Sequence, residues 1–341
     1  MKSVLLLVAS WLLASAPVGA QQRVVENLSV EARGDYQRDY VDGTSRDDES
    51  GFSGRYLNVK MNGRISDQFS YSYRQRLSKA SLDAGFFDAT DWLHLDYQPS
   101  EQWTLSAGKQ VVDIGGYEYD RAPIDLYFCS EFWNNVPCYA WGASVAFQPS
   151  ASDKLRFQVC ESPYRQFALF AHEDLYSYNL IWYGTHGPWS TMWSLNMMEW
   201  TGGHYISYIS LGNEFRFSDR LRLQLDLMNR AAQHQAFLLR DCSVVGELSY
   251  RPTAKWNVFA KASYDVNRTH TRADQLVQAG TEITRLGGGL EFMPLGDDRV
   301  RLHANYCYSF GTNGNPAGTM LDRQSLVDVG LTWRAKILDN R

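Results

Sequence analysis

Beyond residue 20 the sequence has no apolar run long enough to cross a bilayer as a helix, which takes about 20 consecutive apolar residues. Mean hydropathy over the chain is negative. A helical membrane protein is therefore excluded for residues 21–341. A membrane β-barrel is not excluded, because alternating lipid-facing and lumen-facing side chains cancel in a hydropathy average.

An excess of positive charge is also missing. The chain has 33 Lys and Arg against 38 Asp and Glu, a formal net charge of −5, whereas a nucleic-acid-binding protein presents a strongly basic face. We therefore expect no nucleic-acid partner. The seven His are scattered, and neither a Gly-x-Ser-x-Gly nor a His-Glu-x-x-His motif occurs. The sequence accordingly predicts no enzyme, no metal and no cofactor.

Cysteine pairing is poorly supported. The five Cys are odd in number and include no Cys-x-x-Cys pair. Cys129 and Cys138 lie nine residues apart in one long segment, and an exported protein can form disulfides. A bond between these two and a pair of free thiols remain open as alternatives.

The first 20 residues have the pattern of a secretory signal peptide. Lys2 is followed by an apolar stretch, Val4 to Leu13, and by the small residues Val18, Gly19 and Ala20. An uncleaved anchoring helix is the alternative, but no stop-transfer flank follows. We expect an exported mature chain of residues 21–341 that folds as a single domain.

The mature chain is rich in aromatic residues, and its apolar and polar residues alternate with a period of two. It contains 20 Tyr, 16 Phe and 11 Trp, residues that favour strands. From Leu221 to Leu227 every odd residue is Leu and every even one is charged or an amide. This alternation is the signal of a β-strand with two unlike faces.

Short and long connections alternate between such stretches. Short turns rich in Pro, Gly, Ser and Asp are predicted at 65–68, 98–101, 148–153, 184–187, 218–220, 251–254 and 294–298. Longer segments are predicted near 41–51, 78–90, 113–138, 161–173, 229–240, 267–279 and 310–324, with a shorter one at 201–204 on the same side. These fifteen connections predict sixteen strands. Tilted strands of about 9–11 residues cross the hydrocarbon, and bacterial barrels pair short periplasmic turns with long outer loops.

The expected fold is thus an all-β, antiparallel, transmembrane barrel of sixteen strands in a bacterial outer membrane, with both termini periplasmic. Aromatic residues flanking the short turns are predicted to form the inner girdle: Trp103, Trp189, Phe215, Phe217, Tyr250 and Trp256. A β-sandwich is the alternative, but a sandwich of this length would be expected to split into domains, and no linker or change in composition marks a boundary.

Alternation also assigns charged residues to the lumen, since a charge facing lipid at the midplane costs about 2–4 kcal/mol. The predicted basic wall consists of Arg33, Lys60, Arg74, Arg76, Arg156, Arg222, Lys261, Arg301 and Arg334. Sixteen strands enclose more space than side chains can fill. The lumen is therefore expected to be a water-filled channel.

The segment 113–138 is the predicted constriction, because loops of about 26 residues are usually functional or disordered and its aromatic content argues against disorder. Its charged residues are Asp113, Glu118, Asp120, Arg121, Asp125 and Glu131. An acidic loop opposite a basic wall predicts a transverse field and a weak preference for anions. The alternative is that the wall charges are only solvated and set no preference.

The stretch from Ala107 to Tyr119, with Pro123 and the stretch Val136 to Gly142, resembles the phosphate-selective porin O and P family, in the versions found in Bacteroidetes-type bacteria. The resemblance implies a sixteen-stranded porin with a loop folded toward the pore and a tendency to form homotrimers. The family's best-studied phosphate channels carry many arginines and a lysine cluster at the constriction. With one Arg in this loop, the resemblance implies a porin more than it implies phosphate specificity.

The sequence therefore predicts passive diffusion of small hydrophilic solutes or anions through a barrel surrounded by outer-membrane lipid and lipopolysaccharide. A barrel enzyme and a non-conducting scaffold or adhesin are the alternatives. A plugged transporter is excluded, since only residues 21–27 precede the first strand.

Overall fold

The structure is a computed structural model that describes residues 24–79, 85–167, 174–232 and 239–340. The predicted signal peptide lies outside the described residues, as do parts of the predicted loops 78–90, 161–173 and 229–240. No helix in the described part of the chain is long and apolar enough to cross a membrane.

Sixteen long strands make up almost the whole fold. They are β1 (Asn27–Val41), β2 (Gly51–Arg64), β3 (Phe69–Arg76), β4 (Thr90–Ser100), β5 (Trp103–Val111), β6 (Tyr139–Phe147), β7 (Asp153–Glu161), β8 (Tyr176–His186), β9 (Trp189–Thr201), β10 (His204–Arg216), β11 (Leu221–Ala232), β12 (Asp241–Thr253), β13 (Trp256–Asn267), β14 (Glu282–Phe292), β15 (Val300–Thr312) and β16 (Gln324–Asp339). A two-residue strand, Thr44–Ser45, pairs with the end of β1. Each long strand is antiparallel to the next, and β1 pairs with β16, which closes the barrel.

The predicted faces are confirmed by burial. In β11, Leu225 is 42% exposed while its neighbour Asp226 is 9% exposed. In β16 the same contrast separates Val329 from Asp328. Because only one face of each strand can meet lipid, the apolar residue of each pair lies outside and the carboxylate inside.

The predicted order of connections is confirmed as well. A two-residue turn, Gly187 with Pro188, joins β8 to β9, whose ends pair as His186 with Trp189. The predicted loop at 201–204 is also only a two-residue turn, with Gly203 at a φ of +74° that favours glycine. The longest fully described connection is 112–138, between β5 and β6.

Aromatic pairs mark the end of the barrel that carries the short turns. The ring centroids of Trp103 and Phe147 are 4.6 Å apart, and those of Trp256 and Phe292 are 4.5 Å apart. Each pair bridges two neighbouring strands directly beside a turn. This is the position expected of an interfacial girdle, where an aromatic ring can be partly apolar and partly wet.

One feature differs from the expectation of a uniformly polar lumen. Inward-facing Met198, Ile206, Tyr208 and Met228 are buried in an apolar cluster inside the barrel. Their partners come from connections that enter the lumen, including Ile114, Phe132 and Leu276. Apolar residues occupy these inward-facing strand positions because segments of the chain, and not water, cover them. The cluster fills the β6–β11 side of the barrel's outer half.

We expect Leu225→Arg to lower the free energy of unfolding by about 2–4 kcal/mol, because it places a charge against the hydrocarbon. Urea titration of intrinsic fluorescence in phospholipid vesicles measures this change. Leu295→Arg is the matched control, since Leu295 lies in a short turn and is already 54% exposed. Equal losses in the two variants would contradict the assignment of the outer face.

Candidate functional site

The segment 112–138 leaves the outer end of β5, enters the lumen and returns to β6. It contains two short helices, α1 (Tyr117–Asp120) and α2 (Glu131–Asn135), and a 3-10 turn between them, Pro123–Asp125. All residues of the segment are described, and only Asp120 among them is classed as exposed. A 27-residue connection buried inside a barrel must find partners for its own backbone.

The first part of the segment follows the wall from β7 to β11. Asp113 pairs with Arg156 of β7 at 3.1 Å. The amide of Gly115 donates to Ser194 Oγ at 2.8 Å. The Asp226 carboxylate of β11 then accepts the amides of Tyr117 and Glu118, both at 2.8 Å. These two amides begin α1. Asp226, a side chain of the barrel wall, therefore caps the N-terminus of a helix in the segment.

Close packing at this point depends on glycine. Gly116 has a φ of +120°, in the region that L side chains rarely adopt. A Cβ on Gly212 of β10 would lie 2.8 Å from the Gly116 Cα atom. The segment can therefore lie directly on the wall only because both positions lack a side chain.

The middle of the segment crosses the lumen to the seam where the barrel closes. The Arg33 guanidinium of β1 donates to the carbonyl oxygens of Ile124 and Leu126. The Asp125 carboxylate is paired with Arg301 of β15 and Arg334 of β16. The two wall cations that contact Asp125 thus lie four and five strands away from β11, which caps α1.

The last part returns to β13. Asp265 accepts the amides of Glu131 and Phe132 at 2.9 and 3.4 Å, which caps α2. Lys261 Nζ lies 2.7 Å from a Glu118 oxygen. Glu118 also accepts the Ser130 amide at 3.0 Å, so the outgoing and returning parts of the segment are joined to each other.

The loop charges predicted from the sequence are therefore mostly paired. Asp113, Glu118 and Asp125 pair with wall cations, as described above. Arg121 pairs with Glu247 at 2.7 Å, and Glu131 accepts from Asn135 at 2.7 Å. Asp113, Glu118, Arg121 and Asp125 thus hold the loop to the wall, Glu131 is bonded within the loop, and only Asp120 remains exposed.

The predicted wall cations lie on the inner face and also have partners. Lys60 contacts Glu31 at 2.8 Å, and Arg222, which is exposed, lies 3.6 Å from Glu214. Arg74 and Arg76 both contact Asp91, at 2.7 and 3.1 Å. The remaining five, Arg33, Arg156, Lys261, Arg301 and Arg334, contact the segment 112–138. The sequence predicts a transverse field between the acidic loop and the basic wall. Direct pairing of the loop and wall charges largely cancels this field.

A buried ionic cluster at the closing seam was not predicted from the sequence. His303 lies 3.3 Å from Asp35 and 2.9 Å from Asp328. The ligand atoms of these three residues all lie within 4.8 Å of one another, a spacing that a metal could use. The Arg33 guanidinium, however, is 2.7 Å from Asp35 and 3.8 Å from Asp328. A guanidinium in this place already compensates the carboxylates, so we interpret the cluster as an ion-pair network.

Of the two alternatives that the sequence leaves open for Cys129 and Cys138, the structure has free thiols. Cys138 donates to the carbonyl oxygen of Val136 at 3.4 Å. Helix α2 lies between the two cysteines, and they line different cavities. Sequence spacing alone could not reveal this separation.

Several cavities lie beside the segment among the described residues, and three of them are much larger than the others. The largest, about 730 Å³, lies on the outer side and is lined by the outer loops and by residues 126–129. A second outer cavity of about 230 Å³ lies between α2 and strands β2 to β6. A third of about 230 Å³ lies on the periplasmic side, lined by Arg121, Asp125, Arg222, Arg301 and their neighbours. Water-sized space thus reaches the segment from both ends of the barrel.

The sequence model of the phosphate-selective porin O and P family matches residues 27–180, which include the whole segment. The match contains the stretches from which the resemblance was inferred, so that inference is confirmed. The sequence has no match among curated proteins.

The fold is similar to that of solved porins. The anion-selective porin from Comamonas acidovorans has a TM-score of 0.63 at 12% identity, covering 90% of this chain and 98% of that one. The channel DcaP of Acinetobacter baumannii has a TM-score of 0.63 at 10% identity, covering 91% and 96%. The trimer form of OmpT of Vibrio cholerae has a TM-score of 0.58 at 12% identity, covering 90% and 99%. At such identities the likeness concerns the fold.

We expect Asp226→Ala to free the start of the segment, because it removes the acceptor of two buried amides. Each unpaired buried group costs about 1–3 kcal/mol. Hydrogen exchange followed by mass spectrometry is expected to show faster exchange in residues 115–121.

Asp219→Ala is the control, because Asp219 lies exposed in the turn that precedes the same strand. Unchanged protection of residues 115–121 in Asp226→Ala would contradict the anchoring role.

Proposed function

We propose that this porin lets small hydrophilic solutes and ions diffuse passively along the lumen, past the anchored segment 112–138. The observation that carries the proposal is the position of that segment. It crosses the barrel and is held to both sides, with cavities above and below it. A fixed constriction with water-sized space on both sides limits solute size without requiring a moving gate.

A weak preference for anions is the second part of the proposal. The large outer cavity is lined by four basic and three acidic side chains, and the smaller outer cavity by three and two. The periplasmic cavity has three of each sign. The basic excess is small, so the preference is expected to be small. The name of the anion-selective Comamonas porin agrees with this direction.

Phosphate specificity is not part of the proposal. The one Arg of the segment, Arg121, is used in a pair with Glu247 and a hydrogen bond to Gln224. Specific recognition of phosphate is expected to need several cations free to contact it. The five predicted wall cations that contact the segment, Arg33, Arg156, Lys261, Arg301 and Arg334, already have carboxylate or carbonyl partners.

The cellular setting follows from the same proposal. The porin would be exported by a cleaved signal peptide, residues 1–20, and inserted among outer-membrane lipid and lipopolysaccharide. A homotrimer is proposed because a trimer form is named for the similar OmpT. We propose a channel and not an enzyme, since the family and the fold support transport.

Refolded protein in a planar bilayer is expected to give stable conductance steps, with a KCl-gradient reversal potential displaced slightly toward that of chloride. Liposome swelling is expected to admit small neutral sugars and to fall off with solute mass.

The control is protein denatured by heat and added at the same concentration. Absence of conductance from correctly folded barrels would contradict the proposal and favour a scaffold or adhesin. A reversal potential displaced toward potassium would contradict only the ion preference.

A further inference from the structure

The connection between β13 and β14, residues 268–281, is a second outer loop that enters the barrel. Arg268 and Arg272 in its first part are exposed, whereas Leu276 and Val277 are fully buried. The two buried residues pack in the apolar cluster with inward-facing side chains of β9 to β11. Burial of apolar side chains away from water is favourable, so this packing holds the loop inside the lumen. Part of the outer half of the barrel is therefore filled by loop 268–281.

One carboxylate, Asp274, joins the loop to the barrel wall. Arg230 of β11 donates from Nε to Asp274 Oδ2 at 2.7 Å, and the two side chains are 0% and 1% exposed. The other oxygen, Asp274 Oδ1, accepts the amides of Leu276 and Val277 at 2.8 and 3.1 Å, which fixes the turn of the loop. Arg230 is itself held by Asp241 of β12 at 2.9 Å. Because both partners are buried, the pair is not weakened by competition from water.

Loop 268–281 also lies directly against the constriction segment. Asn135, the last residue of α2, donates from Nδ2 to the Leu276 carbonyl oxygen at 2.8 Å. Tyr164, in the turn that follows β7, donates to Asp274 Oδ1 at 3.4 Å and lies 2.7 Å from the hydroxyl of Tyr208 on β10. The loop, the constriction segment and the turn after β7 therefore form one packed block on the inner wall.

The space that remains open lies elsewhere in the barrel. The three large cavities are lined by residues outside loop 268–281. The two outer cavities lie against β1 to β6 and the closing seam, whereas the loop lies against β9 to β11. A solute that enters from outside consequently passes beside the loop and uses only part of the barrel's cross-section.

We propose that loop 268–281 sets the upper size limit of the channel, and that the buried pair between Arg230 and Asp274 holds it in place. With the loop down against the constriction segment, the outer entrance beside β9 to β11 is closed. The inference rests on the proposed channel function and narrows its solutes to ions and molecules of about monosaccharide size. Arg230 and Asp274 are positioning residues, since they act through the loop and do not touch the solute.

The first test shortens the loop in the full-length protein by replacing residues 270–278 with two glycines. The pairing of β13 with β14 ends at Val266 and Glu282, so the exchange leaves the barrel strands intact. If the two halves of the lumen contribute about equally to the resistance, doubling the open cross-section of the outer half raises the unitary conductance by about a third. Liposome swelling is expected to extend from monosaccharides to trisaccharides. Heat-dependent mobility on SDS gels verifies that the variant is folded.

The second test, Asp274→Ala, removes the pair and leaves the loop at full length. Conductance and size limit are expected to change in the same direction as in the shortened protein, with additional noise in the open-channel current because the loop is free to move. Glu282→Gln is the matched control. It breaks the ion pair between Arg268 and Glu282 at the base of the same loop, where both side chains are exposed. Its conductance and size limit are expected to equal those of the native protein.

The outcomes separate the two proposals. Absence of conductance in the native protein would reject the channel itself. Native conductance and an unchanged size limit in the folded, shortened protein would reject the role of the loop and leave the channel intact. A change in the shortened protein but not in Asp274→Ala would overturn the holding role of the buried pair. Equal changes in Asp274→Ala and Glu282→Gln would overturn it as well, because any broken ion pair of the loop would then have the same effect.

Discussion

The arrangement of the lumen depends on wall carboxylates that accept backbone amides from a segment inside the barrel. Asp226 and Asp265 each accept two amides, and these amides begin the two short helices of the constriction segment. A buried amide without a partner costs about 1–3 kcal/mol. Four such groups would make the observed path of the segment unfavourable. The carboxylates therefore determine where the segment lies, and the segment determines the shape of the passage.

Because most charged side chains inside the barrel are already paired with one another, they have little effect on ions that pass through the lumen. A carboxylate that is paired within hydrogen-bond distance has little field left to act on a passing ion. Asp125 is enclosed by two guanidinium groups, and Arg33 is shared between Asp35 and two carbonyl oxygens of the segment. Counting charges along the inner wall consequently overstates the field. What remains is the contribution of side chains that reach water, which is small and nearly balanced in each cavity.

The sequence was sufficient for the barrel but not for its interior. Strand number and facing could be predicted because the period of two and the turn residues are local signals, as in Leu221 to Leu227. The segment 112–138 could be identified from its length and composition. Its anchors could not be predicted, since Asp226 lies 109 positions from Tyr117 and their contact follows from closure of the barrel. The predicted transverse field was based on the correct charged residues, but the prediction did not include the ion pairs that these residues form with one another.

The apolar cluster has a further consequence for the passage. Strand number alone suggests a wide, central lumen, but buried apolar side chains close the outer half along β6 to β11. Ile206 and Tyr208 occupy inward positions at the outer end of β10, where the alternation would otherwise place polar residues. The two outer cavities are instead lined mainly by β1 to β6 and by the strands near the closing seam. The passage is thus displaced to one side of the barrel. Its outer wall there is formed by the strands that carry Arg33, Arg74 and Arg76.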